Sequence, residues 1–292
     1  MANTIGSVTQ YLNTIVERIY RLNSLTTFLD TTGVVTSGLA NAKEVKIPKL
    51  TLDGLSDYSR TAGYTSGDVT LEYVTYTLTK DRGKKFFLDA VDNIDSAGVA
   101  LAELASTFIR DKVNPELDAY RFAQYAAGAE AANVKALALT KSNIVGAIDD
   151  AGVALTDAEV PEENRILFIT AAAKALLKQA LDSSRFHTSK IIDRNVEMFD
   201  DMPLITVPTG RFYSAVDLND GGYAAASGAV GLNFILMDRN APLQIVKHNP
   251  ARLFTPDQNQ DADAYVYNYR CYHDCVIREN KKAGVYVCKK SS

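Results

Sequence analysis

The sequence predicts an α+β protein in which an extended hairpin, one long interrupted helix and an α/β region follow one another. Three observations predict this order. Two strand-like runs flank a long polar segment within residues 43–78, a helical apolar period surrounds Pro115, and helix and strand patterns alternate from about residue 140. The chain can bury more than one core, since it has 292 residues of which 47% are hydrophobic.

The charge balance argues against a dedicated nucleic-acid-binding protein. The formal net charge is -4, from 31 basic and 35 acidic residues, so the chain lacks the positive surface that neutralises phosphates. Any contact with DNA is expected to be weak and nonspecific. No basic segment precedes an apolar run, and no stretch reaches the roughly 20 apolar residues that cross a bilayer. We therefore expect neither a signal peptide nor a membrane partner.

Residues 1–41 are predicted to form an N-terminal arm. Its first apolar residues recur with the 3.6-residue period of an amphipathic helix. They are Val8, Leu12, Ile15, Ile19 and Leu22. Near Thr31, β-branched residues and glycines favour an extended segment instead. The helix either packs on its own subunit or reaches a neighbouring molecule, and periodicity does not separate these alternatives.

Residues 42–92 are predicted to form an extended hairpin. Lys43–Leu52 and Val69–Leu78 are rich in alternating, β-branched and aromatic residues. Pro48 cannot donate to a ladder, which indicates an edge strand. The tip between the strands, residues 53–67, is far longer than the usual hairpin connection of about 2 to 5 residues.

Such a polar tip buries little surface within its own domain. We therefore expect a neighbouring molecule to order it, with Tyr58, Arg60 and Tyr64 as inter-subunit contact residues. A surface loop without a partner is the alternative.

The longest helical signal starts at Asp95 or Ser96 and continues to about Asn133. Asn114 can act as an N-cap and Pro115 can occupy the first helical position. The segment is therefore either one long helix kinked at Asn114 and Pro115 or two helices end to end.

The remaining residues alternate between helices and strands and end in β structure. The predicted elements are a helix capped by Ser142, a strand at Arg165–Ile169, a helix at Ala171–Leu181, a strand at Met202–Pro208, a glycine-rich loop at 221–231, a strand at Leu232–Met237 and a long strand at Tyr265–Ile277. Val285–Cys288 is expected to pair with that last strand as a hairpin.

The sequence contains no recognisable catalytic or cofactor motif. The glycine-rich segments lack the Lys and Ser/Thr of a phosphate-binding loop and the spacing of a dinucleotide-binding turn. Only three histidines are available as general bases, and paired carboxylates such as Asp149 and Asp150 fall at predicted helix ends and loops. We therefore predict no catalytic residue and no cofactor.

Cys271, His273 and Cys275 form the one cluster of metal-ligand types, and their spacing places them on one face of a strand. A zinc site would need a fourth ligand, which Cys288 could supply from a hairpin partner. The interpretation that we favour is a packed apolar face with reduced thiols, because free cysteines behave as small hydrophobic residues. No metal is predicted.

The order of parts resembles that of the major capsid proteins of tailed bacteriophages with the HK97-like fold, over essentially the whole chain. The segments that carry the resemblance are Val45–Leu52 with the tip Tyr58–Gly67, Lys112–Asp118, Val160–Phe168, Tyr269–Asp274 and Asn280–Tyr286. The resemblance rests on the combination and order of these soft patterns, since none is a catalytic fingerprint.

The resemblance implies an N-terminal arm (1–41), an E-loop (42–92), a P-domain with a spine helix (93–139 and 250–292) and an A-domain (140–249). It further implies self-assembly into pentamers and hexamers of an icosahedral shell around the phage genome. A separate scaffolding protein and a portal protein would be partners, with assembly in the host cytoplasm and residence in the virion. Some relatives crosslink a lysine to an asparagine between subunits, but the resemblance does not assign such residues in this chain.

Two other function classes remain open from the sequence. A small α/β enzyme or ligand-binding protein could use the glycine-rich loop 221–231, but it would have to explain the long tip and the missing acid/base residues. A different virion component, such as a tail protein, would make the long interrupted helix unusual.

Overall fold

The computed structural model describes residues 21–30, 44–61, 63–95, 99–182, 196–248 and 250–291. The strands are β1 (Glu44–Leu52), β2 (Val69–Thr77), β3 (Lys80–Asp89), β4 (Val134–Ala136), β5 (Arg165–Thr170), β6 (Met198–Phe199), β7 (Met202–Val207), β8 (Val216–Asn219), β9 (Gly222–Ala225), β10 (Leu232–Asp238), β11 (Pro242–His248), β12 (Ala251–Phe254), β13 (Ala264–Ile277) and β14 (Val285–Lys289). The α-helices are α1 (Ala90–Asp95), α2 (Val99–Phe108), α3 (Asn114–Gly128), α4 (Ile144–Asp157) and α5 (Ala171–Asp182), and a π-helical turn at Ile109–Val113 joins α2 to α3.

A six-stranded mixed sheet forms the centre of the subunit, in the order β4-β14-β10-β5-β7-β6. Strand β5 is apolar from Ile166 to Ile169 and buried at every position, as expected for a strand covered on both faces. On one face Ile166 and Phe168 pack with Phe122 of α3. On the other, Leu167 and Ile169 pack with α4 and α5. The sheet is therefore a layer between helices.

A four-stranded sheet is built around the long strand β13, which pairs antiparallel with β3, β11 and β12. The α2–α3 segment, here called the spine helix, lies against it. Tyr267 and Tyr269 pack with Phe86, Phe108 and neighbouring residues of the spine helix. At the end of α3, a Cβ on Gly128 would lie 2.5 Å from a side-chain carbon of Ile277, so this glycine allows the close approach of helix and strand.

Several sequence predictions are confirmed in position. The strands predicted at 165–169, 202–208, 232–237 and 265–277 and the helix at 171–181 are present within one to two residues. The hairpin strands β1 and β2 are also present, paired from Glu44↔Thr77 to Leu52↔Val69. They form a separate two-stranded sheet, so Pro48 lies on an edge strand as predicted.

Other predictions are wrong in pairing or extent. Strand β14 does not pair with β13, because a 3-10 helix at Glu279–Gly284 carries it to the six-stranded sheet between β10 and β4. The hairpin ends at Thr77, and β3, which the prediction included in it, belongs to the four-stranded sheet. The glycine-rich segment 221–231 is a loop only in part. Gly222–Ala225 form β9, which pairs with β8 around Gly221, whose φ is +91°, whereas residues 226–230 form a turn and irregular loop.

Two helix starts also differ from the predictions. Asn143, not Ser142, occupies the N-cap position of α4. Of the predicted N-terminal helix, residues 21–25 are described and are not helical, whereas its earlier residues lie outside the described part of the chain, as does Ser96.

Candidate functional site

The hairpin β1–β2 presents an apolar face to solvent. Residues opposite each other in the ladder share a face, and the pairs Pro48↔Tyr73, Leu50↔Leu71 and Leu52↔Val69 alternate with polar pairs. The apolar face, here called the hairpin face, consists of Leu50, Leu52, Val69, Leu71 and Tyr73. These five side chains are between 54% and 69% exposed. A contiguous exposed apolar strip on a thin ribbon is typical of a surface that binds another molecule.

The base of the hairpin is firmly attached to the subunit. Val45 and Leu78 are buried against Leu243 and Ile245 of β11. Just after β2, the Thr79 backbone N–H donates to a carboxylate oxygen of Asp274 at 2.7 Å. The hairpin therefore projects from an anchored base.

The tip contains a small turn instead of the structureless loop that its length suggests. The Gly63 N–H donates to the Ser59 carbonyl at 2.8 Å, and the rings of Tyr58 and Tyr64 lie 4.9 Å apart. This brings two of the three predicted contact residues together. Both rings remain exposed, as does Arg60. The three side chains are therefore accessible to another molecule, but their contact role stays a prediction.

A buried ionic network, here called the arm anchor, fixes residues 22–30 to α3. Asp118 is fully buried and accepts hydrogen bonds from the Ser24 hydroxyl at 2.7 Å, the Leu25 N–H at 2.9 Å and the Thr26 hydroxyl at 2.7 Å. It also pairs with Arg211 at 2.9 Å. Four donors to one carboxylate compensate its loss of water.

The anchor includes a second ion pair at its outer edge. Arg121 lies 2.6 Å from a carboxylate oxygen of Asp30 and donates to the Thr26 hydroxyl at 3.1 Å. Burial raises the pKa of Asp30, while the neighbouring Arg121 charge lowers it. These residues were not predicted as a site from the sequence. One feature of the sequence could have indicated them. Asp118 lies on the same helical stripe as the buried residues Phe122 and Tyr125, where an unpaired charge would be costly.

The irregularity of the spine helix precedes Pro115. The Asn114 N–H donates to the Ile109 carbonyl, five residues back, and Asn114 itself is helical with φ -60° and ψ -45°. A proline ring clashes with the carbonyl four residues earlier, here that of Asp111. The chain avoids the clash by widening into a π-helical turn. Asn114 is therefore the first residue of α3 and does not act as an N-cap.

The Cys271, His273 and Cys275 side chains are buried in the packed interior. Cys271 packs with Tyr267 and Tyr269, while Cys275 belongs to the core beneath α3, and Cys288 lies in the other sheet. Burial raises the pKa of Cys275 to about 12 and lowers that of His273 to about 4. Among the residues described, no group of three His, Cys, Asp or Glu side chains is arranged to hold a metal ion.

A cavity with a volume of about 640 Å³ lies between the spine helix and β3–β13. Of the glycine-rich segment 221–231, Gly221 and Gly222 border it. The nearby Glu116 is held by Arg82 at 2.7 Å, and His273 stays neutral at pH 7. At this cavity Glu116 is therefore ion-paired and His273 is uncharged.

Comparison with solved structures identifies the architecture. The chain superimposes on the structure titled "Asymmetric unit of bacteriophage PhiM1 mature capsid" with a TM-score of 0.68 and 11% identity, covering 98% of this chain and 92% of that one. The chain has the fold of a phage capsid subunit. The capsid structure of the cyanophage P-SCSP1u gives a TM-score of 0.68 at 12% identity over 98% and 93% of the two chains. The capsid of an empty GTA particle gives 0.67 at 14% identity over 98% and 96%.

The capsid fold is thus shared nearly end to end, whereas the sequences have diverged. No protein-family model and no curated protein sequence matches this chain. The described residues contain no helix that is both long and apolar enough to span a membrane.

Proposed function

We propose that this chain is a major capsid protein of a tailed bacteriophage, which assembles with copies of itself into an icosahedral shell around the phage genome. The observation that carries the proposal is the hairpin face, displayed by a subunit whose fold is that of phage capsid proteins. Five large apolar side chains facing water on a projecting ribbon are costly for a free subunit. Burial against a neighbouring copy removes that cost.

The parts of the fold take the roles expected of an HK97-like subunit. The β1–β2 hairpin acts as the E-loop, the spine helix with the four-stranded sheet as the P-domain, and the six-stranded sheet with α4 and α5 as the A-domain. In this proposal β11 is counted with the P-domain and β14 with the A-domain, since β11 pairs in the four-stranded sheet and β14 in the six-stranded sheet. The protein acts by packing and has no catalytic role.

The partners follow from this role. Copies of the chain form pentamers and hexamers, a separate scaffolding protein guides assembly, and a portal protein occupies one vertex. Packaged double-stranded DNA makes weak, nonspecific contacts, in keeping with a net charge of -4. The protein is assembled in the host cytoplasm and resides in the virion.

Native sizing followed by negative-stain electron microscopy tests the proposal. The purified chain, concentrated in steps, is expected to shift from subunits to rings of five or six copies or to closed particles. A species that stays at the subunit mass of 31.8 kDa at every concentration, also with the scaffolding protein present and with no particle in the micrographs, would overturn the proposal.

A further inference from the structure

The β1–β2 hairpin meets the rest of the subunit at a short hinge. The hairpin forms a two-stranded sheet of its own, whereas β3 belongs to the four-stranded sheet. Of the two chain connections of the hairpin, the one that the structure describes consists of Leu78 and Thr79, between β2 and β3. The contacts of these two residues therefore bear directly on the direction in which the hairpin projects.

The carboxylate of Asp274 holds this hinge on the side of β13. Lys80 pairs with His273 in the ladder. Thr79 therefore lies opposite Asp274, one position beyond the end of the pairing. One carboxylate oxygen accepts the Thr79 N–H at 2.7 Å and the Thr79 hydroxyl at 3.0 Å. Asp274 is only 6% exposed, and hydrogen bonds to a charged group are stronger than those between neutral groups.

The other oxygen of the same carboxylate binds the spine helix. It accepts the Tyr120 hydroxyl of α3 at 2.7 Å and the Cys275 N–H at 2.8 Å. Burial of Tyr120 and its hydrogen bond to the carboxylate raise the pKa of the hydroxyl, which therefore stays protonated and donates. The Lys80 ammonium lies 5.4 Å from the centre of the Tyr120 ring. Tyr120 thus contacts the start of β3 directly and the hinge through Asp274.

We propose that Tyr120 is a positioning residue of the hairpin, which fixes the hinge to the spine helix through Asp274 and so sets the direction of the hairpin face. Both oxygens belong to one rigid carboxylate, so the hinge and the helix cannot shift relative to each other without stretching these bonds. The same turn of α3 carries Asp118 and Arg121 of the arm anchor. This inference does not depend on the proposed function, because it concerns one subunit and is measured on subunits.

The alternative is that the apolar base alone holds the hairpin. Val45 and Leu78 pack with Leu243 and Ile245 in a cluster that does not include Tyr120. The two explanations differ in the effect of a change on α3. If Tyr120 sets the direction, loss of its hydroxyl alters the hairpin while the apolar cluster stays intact.

Tyr120→Phe tests the proposal, because it removes the hydroxyl and keeps the ring. Nitroxide labels at Thr70→Cys on the hairpin and Ala127→Cys on α3, both exposed positions, report the placement of the two elements as a distance in dilute, unassembled subunits. The three native cysteines are buried. We expect a broader or shifted distance distribution in Tyr120→Phe. The matched control is Tyr286→Phe, which removes a tyrosine hydroxyl in the six-stranded sheet and should leave the distribution unchanged.

Hydrogen exchange of the hairpin amides provides a second measurement on the same two variants without labels. The amides of residues 69–79 should exchange about tenfold faster in Tyr120→Phe, because local opening of the hairpin no longer breaks a hydrogen bond to a buried charge. In Tyr286→Phe they should keep the wild-type rate. A distance distribution that is unchanged in Tyr120→Phe, or hairpin exchange equal to that of Tyr286→Phe, would overturn the proposal.

Discussion

Asp118 and Arg211 form an ion pair of 2.9 Å in which the two side chains are 0% and 5% exposed. Such a pair is not by itself a source of stability, because both charges lose their water. Removing one partner is a different matter, since the other charge is then buried without compensation. The pair, together with the hydrogen bonds to Asp118, therefore holds residues 22–30 against α3.

Asp118→Asn should lower the free energy of unfolding by roughly 3 kcal/mol, the cost of leaving one buried partner unpaired. The asparagine keeps the shape of the side chain but offers no charge to Arg211. Urea denaturation measures the change. Asp261→Asn, at an exposed position, is the control and should change stability by less than about 0.5 kcal/mol. Equal stability of the two variants would contradict the role given to the arm anchor.

Pro115→Ala should alter the geometry of the spine helix more than the stability of the subunit. Alanine removes the clash with the carbonyl of Asp111 and supplies an N–H, so the π-helical turn at Ile109–Val113 can revert to α-helix. The loss of the buried ring offsets this gain, and we expect a net change within about 1 kcal/mol. Electron microscopy should show altered particle size or curvature. Particles of wild-type size, as expected for the control Ser106→Ala, would argue against a geometric role.

His273 should make the subunit sensitive to acid. Its pKa falls from 6.5 to about 4 in the folded state, because of burial first and the charge of Arg121 second. Above pH 6.5 the histidine is neutral in both states. Between pH 6.5 and 4 the unfolded chain binds a proton that the folded one does not. As the pH falls from 6.5 to 4, the free energy of unfolding therefore decreases by about 3 kcal/mol. His273→Phe should flatten the pH dependence over this range, and an unchanged slope in urea titrations would exclude this histidine as the cause.

Replacing residues 54–67 by Asn-Gly should leave a cooperatively melting subunit that does not assemble. Asp53 and Asp68 already close the ladder, since the Asp68 N–H donates to the Asp53 carboxylate at 2.8 Å. Loop closure changes by only about 0.6 kcal/mol per doubling of length. Calorimetry and sizing measure the two properties. A milder variant, Tyr58→Ala with Tyr64→Ala, keeps the loop length and should weaken assembly. An unfolded trimmed subunit would place the tip in the subunit's own core.

Local patterns predicted the elements of this fold better than their partners. The apolar run Ile166–Ile169 of β5 and the alternation of β1 and β2 are properties of a few neighbouring residues, and these strands were predicted where they occur. The pairing of β14 with β10 depends on where six residues of 3-10 helix carry the chain. The sequence of β14 itself does not indicate which strand it pairs with.

The candidate surfaces were likewise predictable only where local patterns indicate them. The length and polarity of the tip drew attention to Tyr58, Arg60 and Tyr64, whereas the hairpin face became visible only from the register that aligns Leu50 with Leu71. The arm anchor joins residues more than ninety positions apart. A single sequence does not show such pairings.

Assembly of a hairpin-face variant tests the central claim most directly. Leu50→Asp with Leu71→Asp places two charges on the exposed apolar face, while the control, Thr51→Asp with Thr70→Asp, places the same charges on the opposite face of the same ribbon. All four positions are exposed, so both subunits should melt like the wild type, within about 0.5 kcal/mol. In electron micrographs we expect shells from the control and only unassembled subunits from Leu50→Asp with Leu71→Asp. Normal shells from that variant would contradict the account.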